Sequence, residues 1–201
     1  MRANDDPGDE PLMARYLAGD HRAFEKIFTR LAPRVYGFFM RSFGEATVAE
    51  ELVQVTFLNL HRSRATYRVG LPLRPWVFAI AARVRRDELR RRYRLKEDCD
   101  EEALVRAEAT TAMRAAGTEG ERQRERSARV REAIDRLPES QRVVVQLHRF
   151  EGLTFPEIAQ ILGTTALAVR ARAFRAYETL REELADLVQP AAPARSGHEV
   201  A

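Results

Sequence analysis

A segment without apolar periodicity separates two helical parts of this chain. Between positions 96 and 126 charged and small residues prevail, whereas on both sides apolar residues recur at helical spacing. No segment alternates apolar and polar residues as a half-buried strand does. The pattern therefore predicts an all-α fold in which two small helical domains are joined by a flexible linker.

The ends of the apolar pattern define the predicted domains. They are a disordered N-terminus at 1–11, a first domain at 12–95, the linker at 96–126, a second domain at 127–187 and a disordered tail at 188–201. The linker can also hold a surface helix from Glu101 to Ala116. Fully extended, such a linker reaches roughly 100 Å at about 3.3 Å per residue, so the domains can bind well-separated sites.

Cap residues and prolines predict the individual helices. Asp20 is a suitable N-cap for a helix that opens at His21 and is kinked or divided at Pro33. The other predicted helices cover 46–61, 76–94 (after a loop at 64–75), a segment closing at Pro138, 143–150, 155–162 and 165–187.

The most informative stretch lies at 153–184. Thr154 and Glu157 form a capping box at a helix start. Gly163 permits a tight turn, and Thr164 or Thr165 can cap the next helix. Two helices joined by a glycine turn are typical of a helix-turn-helix.

The second helix of this motif has distinct inner and outer faces. Helical spacing turns one set of residues inward, namely Val169, Ala173, Ala176 and Leu180. The outward set is Leu167, Ala171, Phe174 and Arg175, with Arg170 and Arg172 at its edges. Such a face can enter the major groove, where arginine pairs with phosphate or guanine and apolar side chains touch thymine methyls. The alternative is a solvated basic helix.

A second concentration of arginine lies at 81–96. Its arginines surround a narrow apolar stripe and are Arg83, Arg85, Arg86, Arg90, Arg91, Arg92 and Arg94. The aromatic residues Tyr67, Trp76 and Phe78 precede them, and aromatic rings beside arginine suit unstacked bases. The alternative places Trp76 and Phe78 in the core, which we prefer for Phe78. A membrane-binding helix would show a broader apolar face.

The helix at 46–61 begins with an acidic surface. Glu50, Glu51 and Gln54 lie above an apolar stripe formed by Val48, Leu52, Val55 and Leu58–Leu60. Taken alone, acidic residues near a helix start are ordinary helix-dipole chemistry.

Composition narrows the possible functions. The net charge is +4 and nearly all basic residues are arginine, which favours a polyanionic partner. The single cysteine, Cys99, fits a reducing compartment, and the sequence shows no export signal or apolar span, so we expect a cytoplasmic protein. Walker loops, metal-ligand clusters and nucleophile constellations are not recognisable. We therefore expect no enzyme activity, cofactor, metal or small-molecule substrate.

Three motifs, in this order, resemble the sigma-70 family, specifically its extracytoplasmic-function (ECF) group. They are AEELVQVTFLNLHR, PWVFAIAARVRRDELRRR, and the helix-turn-helix preceded by RLPESQRVVVQLHRF. The resemblance implies a sigma factor, which binds core RNA polymerase and directs promoter recognition, promoter melting and transcription initiation. It implies a sigma-2 domain for the −10 element and a sigma-4 domain for the −35 element.

The resemblance also implies partners and site residues. Expected partners are core RNA polymerase, through its β′ clamp helices and β subunit, promoter DNA and an anti-sigma factor. The expected polymerase contacts are Glu50, Glu51 and Gln54. The expected −10 contacts are Tyr67, Trp76, Arg83, Arg86 and Arg90, and the expected −35 contacts are Thr165, Arg170, Ala171, Arg172 and Arg175.

The chain departs from the family pattern at three places. Val55 stands where the family usually has an acidic residue, Arg83 where it has Asn, and Leu167-Ala168 where it has Gly-Thr. Arg83 can replace a polar contact to the melted strand with a phosphate contact. The alternative function is a stand-alone helix-turn-helix transcriptional regulator, whose N-terminal helices sense a ligand or dimerise and which reads a palindrome as a dimer.

Overall fold

The computed structural model describes residues 8–99 and 119–188. Within these ranges the chain forms helices and no strand, which confirms the all-α prediction. The helices are α1 (Asp9–Leu17), α2 (His21–Phe43), α3 (Ala46–Ser63), α4 (Leu73–Cys99), α5 (Glu119–Arg136), α6 (Glu139–Val145), α7 (Phe155–Leu162), α8 (Ala166–Glu183) and α9 (Ala185–Val188). A 3₁₀ turn covers Arg64–Thr66, and a π-helical turn covers Gln146–Phe150. The surface helix considered at 101–116 lies outside the described residues.

The described residues divide into two compact units. The first contains the chain up to Cys99 together with Gln146–Val169. The second contains residues 119–145 and the chain from Arg170 onward. Helix α8 therefore begins in the first unit and continues into the second.

Aromatic side chains occupy the centre of the first unit. The Phe38 ring lies 5.5 Å from the Phe39 ring and 5.7 Å from the Phe78 ring, between centroids. All three residues are fully buried, which confirms the core position of Phe78. Burial of an apolar side chain of this size contributes roughly 1.5–3 kcal/mol. This core fixes α4 against α2.

Helix α2 begins where its cap predicts. The Asp20 carboxylate accepts a hydrogen bond from the Arg22 amide at 3.0 Å. Arg15 contacts the same carboxylate at 2.6 Å and holds its pKa below the ordinary value. The helix is not divided at Pro33, because buried residues on both sides of the proline, Leu31 and Val35, keep it packed on the core.

Helix α4 begins at Leu73, so the predicted start at Trp76 was wrong. The Leu73 amide donates to the Glu10 carboxylate at 3.1 Å, and α1 thereby caps α4 from a distant part of the chain. Pro75 is tolerated because amide hydrogens in a first helical turn have no helical acceptor.

The second unit has a small core of its own. Its buried members are Ile134, Leu137, Val145 and Ala176, flanked by Tyr177 and Leu180. Arg129 of α5 pairs with Asp186 of α9 at 2.6 and 2.9 Å. Both side chains are substantially exposed, so solvent screens the pair and it contributes little to stability.

Candidate nucleic-acid interface

The outward face of α4 carries a row of aromatic and cationic side chains. At steps of about one or two helical turns, one face carries Trp76, Arg83, Arg90 and Arg94, with the acidic Asp87 among them. Arg85 falls on the opposite face and is 3% exposed. The backbone of α4 thus separates its arginines into an outer and an inner group.

Two open clefts follow this outer face. The larger, about 680 Å³, lies between α3 and α4, and Trp76 and Arg83 line it opposite Asn59 and Arg62. The smaller, about 540 Å³, is lined by Asp87, Arg90, Tyr93 and Arg94. Exposed cations beside aromatic rings are the combination that binds the backbone and bases of single-stranded nucleic acid. Asn59 and Arg62 could not be predicted as cleft residues, because their place in the cleft depends on the packing of α3 on α4.

Three other arginines of α4 are engaged by side chains of the protein itself. Arg91 and Arg92 contact the Glu88 carboxylate at 2.7 and 2.8 Å, and these hydrogen bonds lower the pKa of Glu88. Arg92 also contacts Glu45 at 2.9 Å, at the start of α3. The Nε of Arg85 donates to the Ser42 hydroxyl of α2 at 2.7 Å.

The outer arginines have no such partners. Within the part of the chain that the structure describes, Arg83, Arg86 and Arg90 form no ion pair and are exposed. Their charges are therefore available for phosphate groups. These three residues are the cations expected from the sequence at the −10 element.

The two aromatic residues expected beside them differ. Tyr67 is 6% exposed, and its hydroxyl donates to the Leu71 carbonyl oxygen. Burial raises the pKa of its phenol, with Glu10 adding to the effect. The Trp76 ring lies 5.1 Å from the Tyr67 ring and lines the larger cleft. Tyr67 thus lies against Trp76, and of these two rings it is Trp76 that lines the cleft.

The helix-turn-helix has the predicted caps. The Thr154 hydroxyl accepts from the Glu157 amide at 3.4 Å, and the Glu157 carboxylate accepts from the Thr154 amide at 2.7 Å. Gly163 adopts φ 64° and ψ 42°, a left-handed conformation that ends α7. The Thr165 hydroxyl accepts from the Ala168 amide at 3.1 Å, so Thr165 is the cap of α8.

The faces of α8 are oriented as the sequence predicts. Leu167 and Phe174 are 76% and 62% exposed, whereas Val169, Ala173 and Ala176 are buried. The remaining outward residues are exposed or half-buried and are Arg170, Ala171, Arg172 and Arg175. None of the three arginines forms an ion pair with another described residue. The α8 face therefore combines free cations with an apolar centre.

The acidic start of α3 is also open to solvent. Glu50, Glu51 and Gln54 are all exposed. Val55 and Leu58, predicted within the inner stripe, are instead 42% and 47% exposed, so that part of the prediction was wrong. The buried stripe of α3 instead consists of Ala49, Leu52, Val53, Thr56, Phe57 and Leu60. The surface of α3 consequently has acidic and apolar parts side by side.

Comparison with known families identifies both helical regions. The model "Sigma-70 region 2" matches residues 27–95, which include α3 and most of α4. The model "Sigma-70, region 4" matches residues 127–180, which include the helix-turn-helix. The chain belongs to the sigma-70 family.

Individual relatives place this sigma factor in the ECF group. It is 37% identical over 175 residues to the RNA polymerase sigma factor CarQ of Myxococcus xanthus, covering 87% of this chain and 97% of that protein. It is 31% identical over 185 residues to the ECF RNA polymerase sigma factor SigE of Mycolicibacterium smegmatis, covering 90% and 70%. The structure of CnrH in complex with the cytosolic domain of CnrY matches with a TM-score of 0.64 at 27% identity, covering 90% and 99%.

Membrane-spanning helices and metal-ion sites are both absent from residues 8–99 and 119–188. No helix there has the length and apolar character needed to cross a bilayer. No group of histidine, cysteine and acidic residues in the same ranges is suited to holding a metal ion.

Proposed function

We propose that this sigma factor binds core RNA polymerase, contacts the −10 and −35 promoter elements with separate helices and opens the DNA for transcription initiation. The observation that carries the proposal is the pair of outward arginine faces on α4 and α8, one in the region 2 match and one in the region 4 match. Each face holds cations without an ion-pair partner among the described residues.

The −10 element is assigned to the α4 face. Arg83, Arg86 and Arg90 contact phosphates of the melted strand, and Trp76 stacks on a base at the larger cleft. Each such stacking contact contributes roughly 1–3 kcal/mol. Tyr67 supports Trp76 rather than touching DNA.

The −35 element is assigned to the α8 face. Arg170, Arg172 and Arg175 bind phosphate or guanine in the major groove, and Ala171 approaches thymine methyls. The Thr165 hydroxyl caps α8 through its oxygen and keeps its hydrogen for a phosphate. The functional domains proposed are 12–95 and 127–187.

Polymerase binding is assigned to the acidic start of α3. Glu50, Glu51 and Gln54 are exposed and face the β′ clamp helices in this proposal. Glu51→Lys should abolish binding to core polymerase without changing the helical circular dichroism spectrum, because Glu51 lies on the surface. Glu25→Gln, an exposed substitution on α2, is the control. Undiminished binding of the Glu51→Lys protein would reject the assignment.

Regulation by an anti-sigma factor is proposed from the relatives. The matched CnrH structure contains the cytosolic domain of CnrY, and a structure of the sigma factor RpoE from Bartonella quintana contains the anti-sigma factor NepR. We propose a comparable protein partner here, a cytoplasmic location for the complex with polymerase, and no catalytic activity of its own. The family assignment does not favour a stand-alone regulator.

Run-off transcription with purified core polymerase tests the proposal. Templates carrying the organism's own promoters should give promoter-dependent transcripts only when the protein is present. Permanganate should then detect unstacked thymines at the −10 element. Absence of transcript from every promoter, with a polymerase active on a control sigma factor, would refute the proposed function.

A further inference from the structure

A buried carboxylate joins the region 4 segment to the region 2 segment within the first unit. Glu151, next to the π-helical turn, is 2% exposed. Arg34 Nε and Arg41 Nη2, both from α2, donate to its carboxylate at 3.1 and 2.6 Å. A second nitrogen of Arg34 donates to the Glu151 backbone carbonyl at 3.2 Å. Two arginines thus enclose one acidic residue.

Neutral contacts extend this junction along α2. Gln146 is fully buried, and its side-chain amide donates to the Arg41 carbonyl oxygen at 3.0 Å. The Gln146 oxygen lies 3.2 Å from the Ser42 hydroxyl. The Arg41 guanidinium lies over the Phe150 ring, 4.4 Å from its centroid. Burial lowers the pKa of Arg41, whereas Glu151 opposes that shift.

The junction also brings α7 against α4. These two helices pack directly on one another in the first unit. Helix α7 is the first helix of the helix-turn-helix, and α4 carries the face assigned to the −10 element. The first helix of the helix-turn-helix is therefore in contact with the helix assigned to the −10 element in this conformation.

Promoter geometry is incompatible with that contact. Elements named for positions −10 and −35 are about 25 base pairs apart, or about 85 Å at roughly 3.4 Å per base pair. Arg34 and Arg41 cannot keep their hydrogen bonds of 2.6–3.2 Å to Glu151 when the region 2 segment occupies the −10 element and the region 4 segment occupies the −35 element. The contacts of Glu151 must break before both elements are bound.

We propose that Glu151, held by Arg34 and Arg41, is an intramolecular latch that keeps the free sigma factor closed and limits its engagement with polymerase and promoter. This inference rests on the proposed function. A carboxylate that stays buried after losing its cations is strongly disfavoured. Partly opened states are therefore disfavoured, and opening is a two-state transition between a closed form and a form in which water reaches Glu151. The apparent affinity for a partner that binds only the open state is reduced by the fraction that is open.

Single-molecule energy transfer on the full-length protein measures the latch directly. Dyes are attached at Lys26→Cys and Gln160→Cys in a Cys99→Ser background. The labelled protein with an unsubstituted latch should show one population with high energy transfer between the dyes. Addition of core polymerase and promoter DNA should convert it to a population with low energy transfer. Glu151→Gln removes the charge while keeping the shape, and should raise the open fraction of the free protein about tenfold. Glu25→Gln is the matched control and should leave the distribution unchanged.

Arg34→Gln provides a second route to the same state. Arg34 is partly exposed, with 39% of its side chain accessible, so its replacement is tolerated by the fold even if Glu151→Gln unfolds the protein. The double substitution should open the chain no further than Glu151→Gln alone. Energy transfer that stays at the wild-type value in both single variants would overturn the latch.

Polymerase association is the functional readout. At limiting core polymerase, the opened variants should associate several-fold faster than wild type, because a larger fraction is competent to bind. Opening without faster association would overturn the inhibitory role. The energy-transfer experiment on free protein needs neither polymerase nor DNA, so it tests the latch separately from the proposed function. Failure of the proposed function would instead appear as a wild-type protein that supports no transcription.

Discussion

Helices α4 and α8 are both rich in arginine, yet they use it differently. On α4 some arginines bind Glu88 of the same helix, and two arginines reach Glu45 and Ser42 and fasten the helix to its neighbours. Arg83, Arg86 and Arg90 have no carboxylate partner among the described residues. On α8 the inner face is built from small apolar residues, and all three arginines of the reading face lack a partner in the described chain. The position of nearby carboxylates, not the number of arginines, therefore decides which cations are available to DNA.

The contrast between Arg85 and Arg83 gives the largest expected effect. Arg85→Ala should destabilise the protein by about 2–3 kcal/mol because it removes a buried cation with hydrogen bonds and packing. Arg83→Ala, on the exposed face, should change stability by less than about 0.5 kcal/mol. Urea-induced unfolding followed by circular dichroism measures both. Equal losses would contradict the division of α4 into two faces.

The same division predicts DNA affinity. In the complex with core polymerase, Arg83→Ala and Arg90→Ala should each weaken binding to a single-stranded −10 element roughly three- to tenfold, and reduce the salt slope by about 0.7. Arg91→Ala is the control, since that side chain is already engaged by Glu88. Fluorescence anisotropy over a range of salt concentrations measures affinity and slope. If the Arg91→Ala complex loses as much affinity as the other two, the assignment of faces fails.

The outward arginine face of α8 predicts a similar loss of DNA affinity, here for one substitution. Arg172→Ala should weaken binding to −35 duplex DNA severalfold and lower the salt slope by about one, because one phosphate contact is lost. Arg181→Ala, exposed further along the same helix, controls for general charge. A slope identical to that of wild type would remove Arg172 from the interface.

The inner ion pairs of α4 give the smallest and most pH-dependent effect. The folded pKa of Glu88 lies below its unfolded value, because Arg91 and Arg92 favour the charged carboxylate. Its contribution is therefore complete above the unfolded pKa of about 4.3 and is lost as pH falls through the folded pKa. Glu88→Gln should cost about 1 kcal/mol at neutral pH, allowing for the exposure of Arg91. The urea midpoints of wild type and Glu88→Gln should converge as the pH is lowered from neutral to about 3.5. A difference that stays constant with pH would exclude the Glu88 ion pairs as its origin.

Local signals were sufficient for much of the fold. The start of α2, the limits of α7 and the faces of α8 depend on caps and periodicity within one or two turns, and the structure confirms them. Positions set by distant partners could not be predicted. The start of α4 depends on Glu10, and the exposure of Val55 and Leu58 depends on how α3 meets its neighbours.

The candidate site divides in the same way. The α8 face follows from its own sequence, because helical spacing alone separates Phe174 from Ala173. On α4 the sequence could not distinguish Arg85 from Arg86, since the serine and glutamates that engage its inner arginines come partly from α2 and α3. The burial of Tyr67 and Glu151 was also hidden, because it arises from tertiary contacts between segments far apart in sequence.

The cap that Glu10 provides for α4 links the protein's structure to the direction of its synthesis. Glu10, Ser42 and Glu45, which anchor α4, all precede it in the chain. They have left the ribosome by the time α4 emerges, and domains fold from the N-terminal side during translation. Helix α4 can therefore settle on a surface that is already assembled, and a fusion or truncation that disturbs the first ten residues would impair the basic helix although it lies more than sixty residues away.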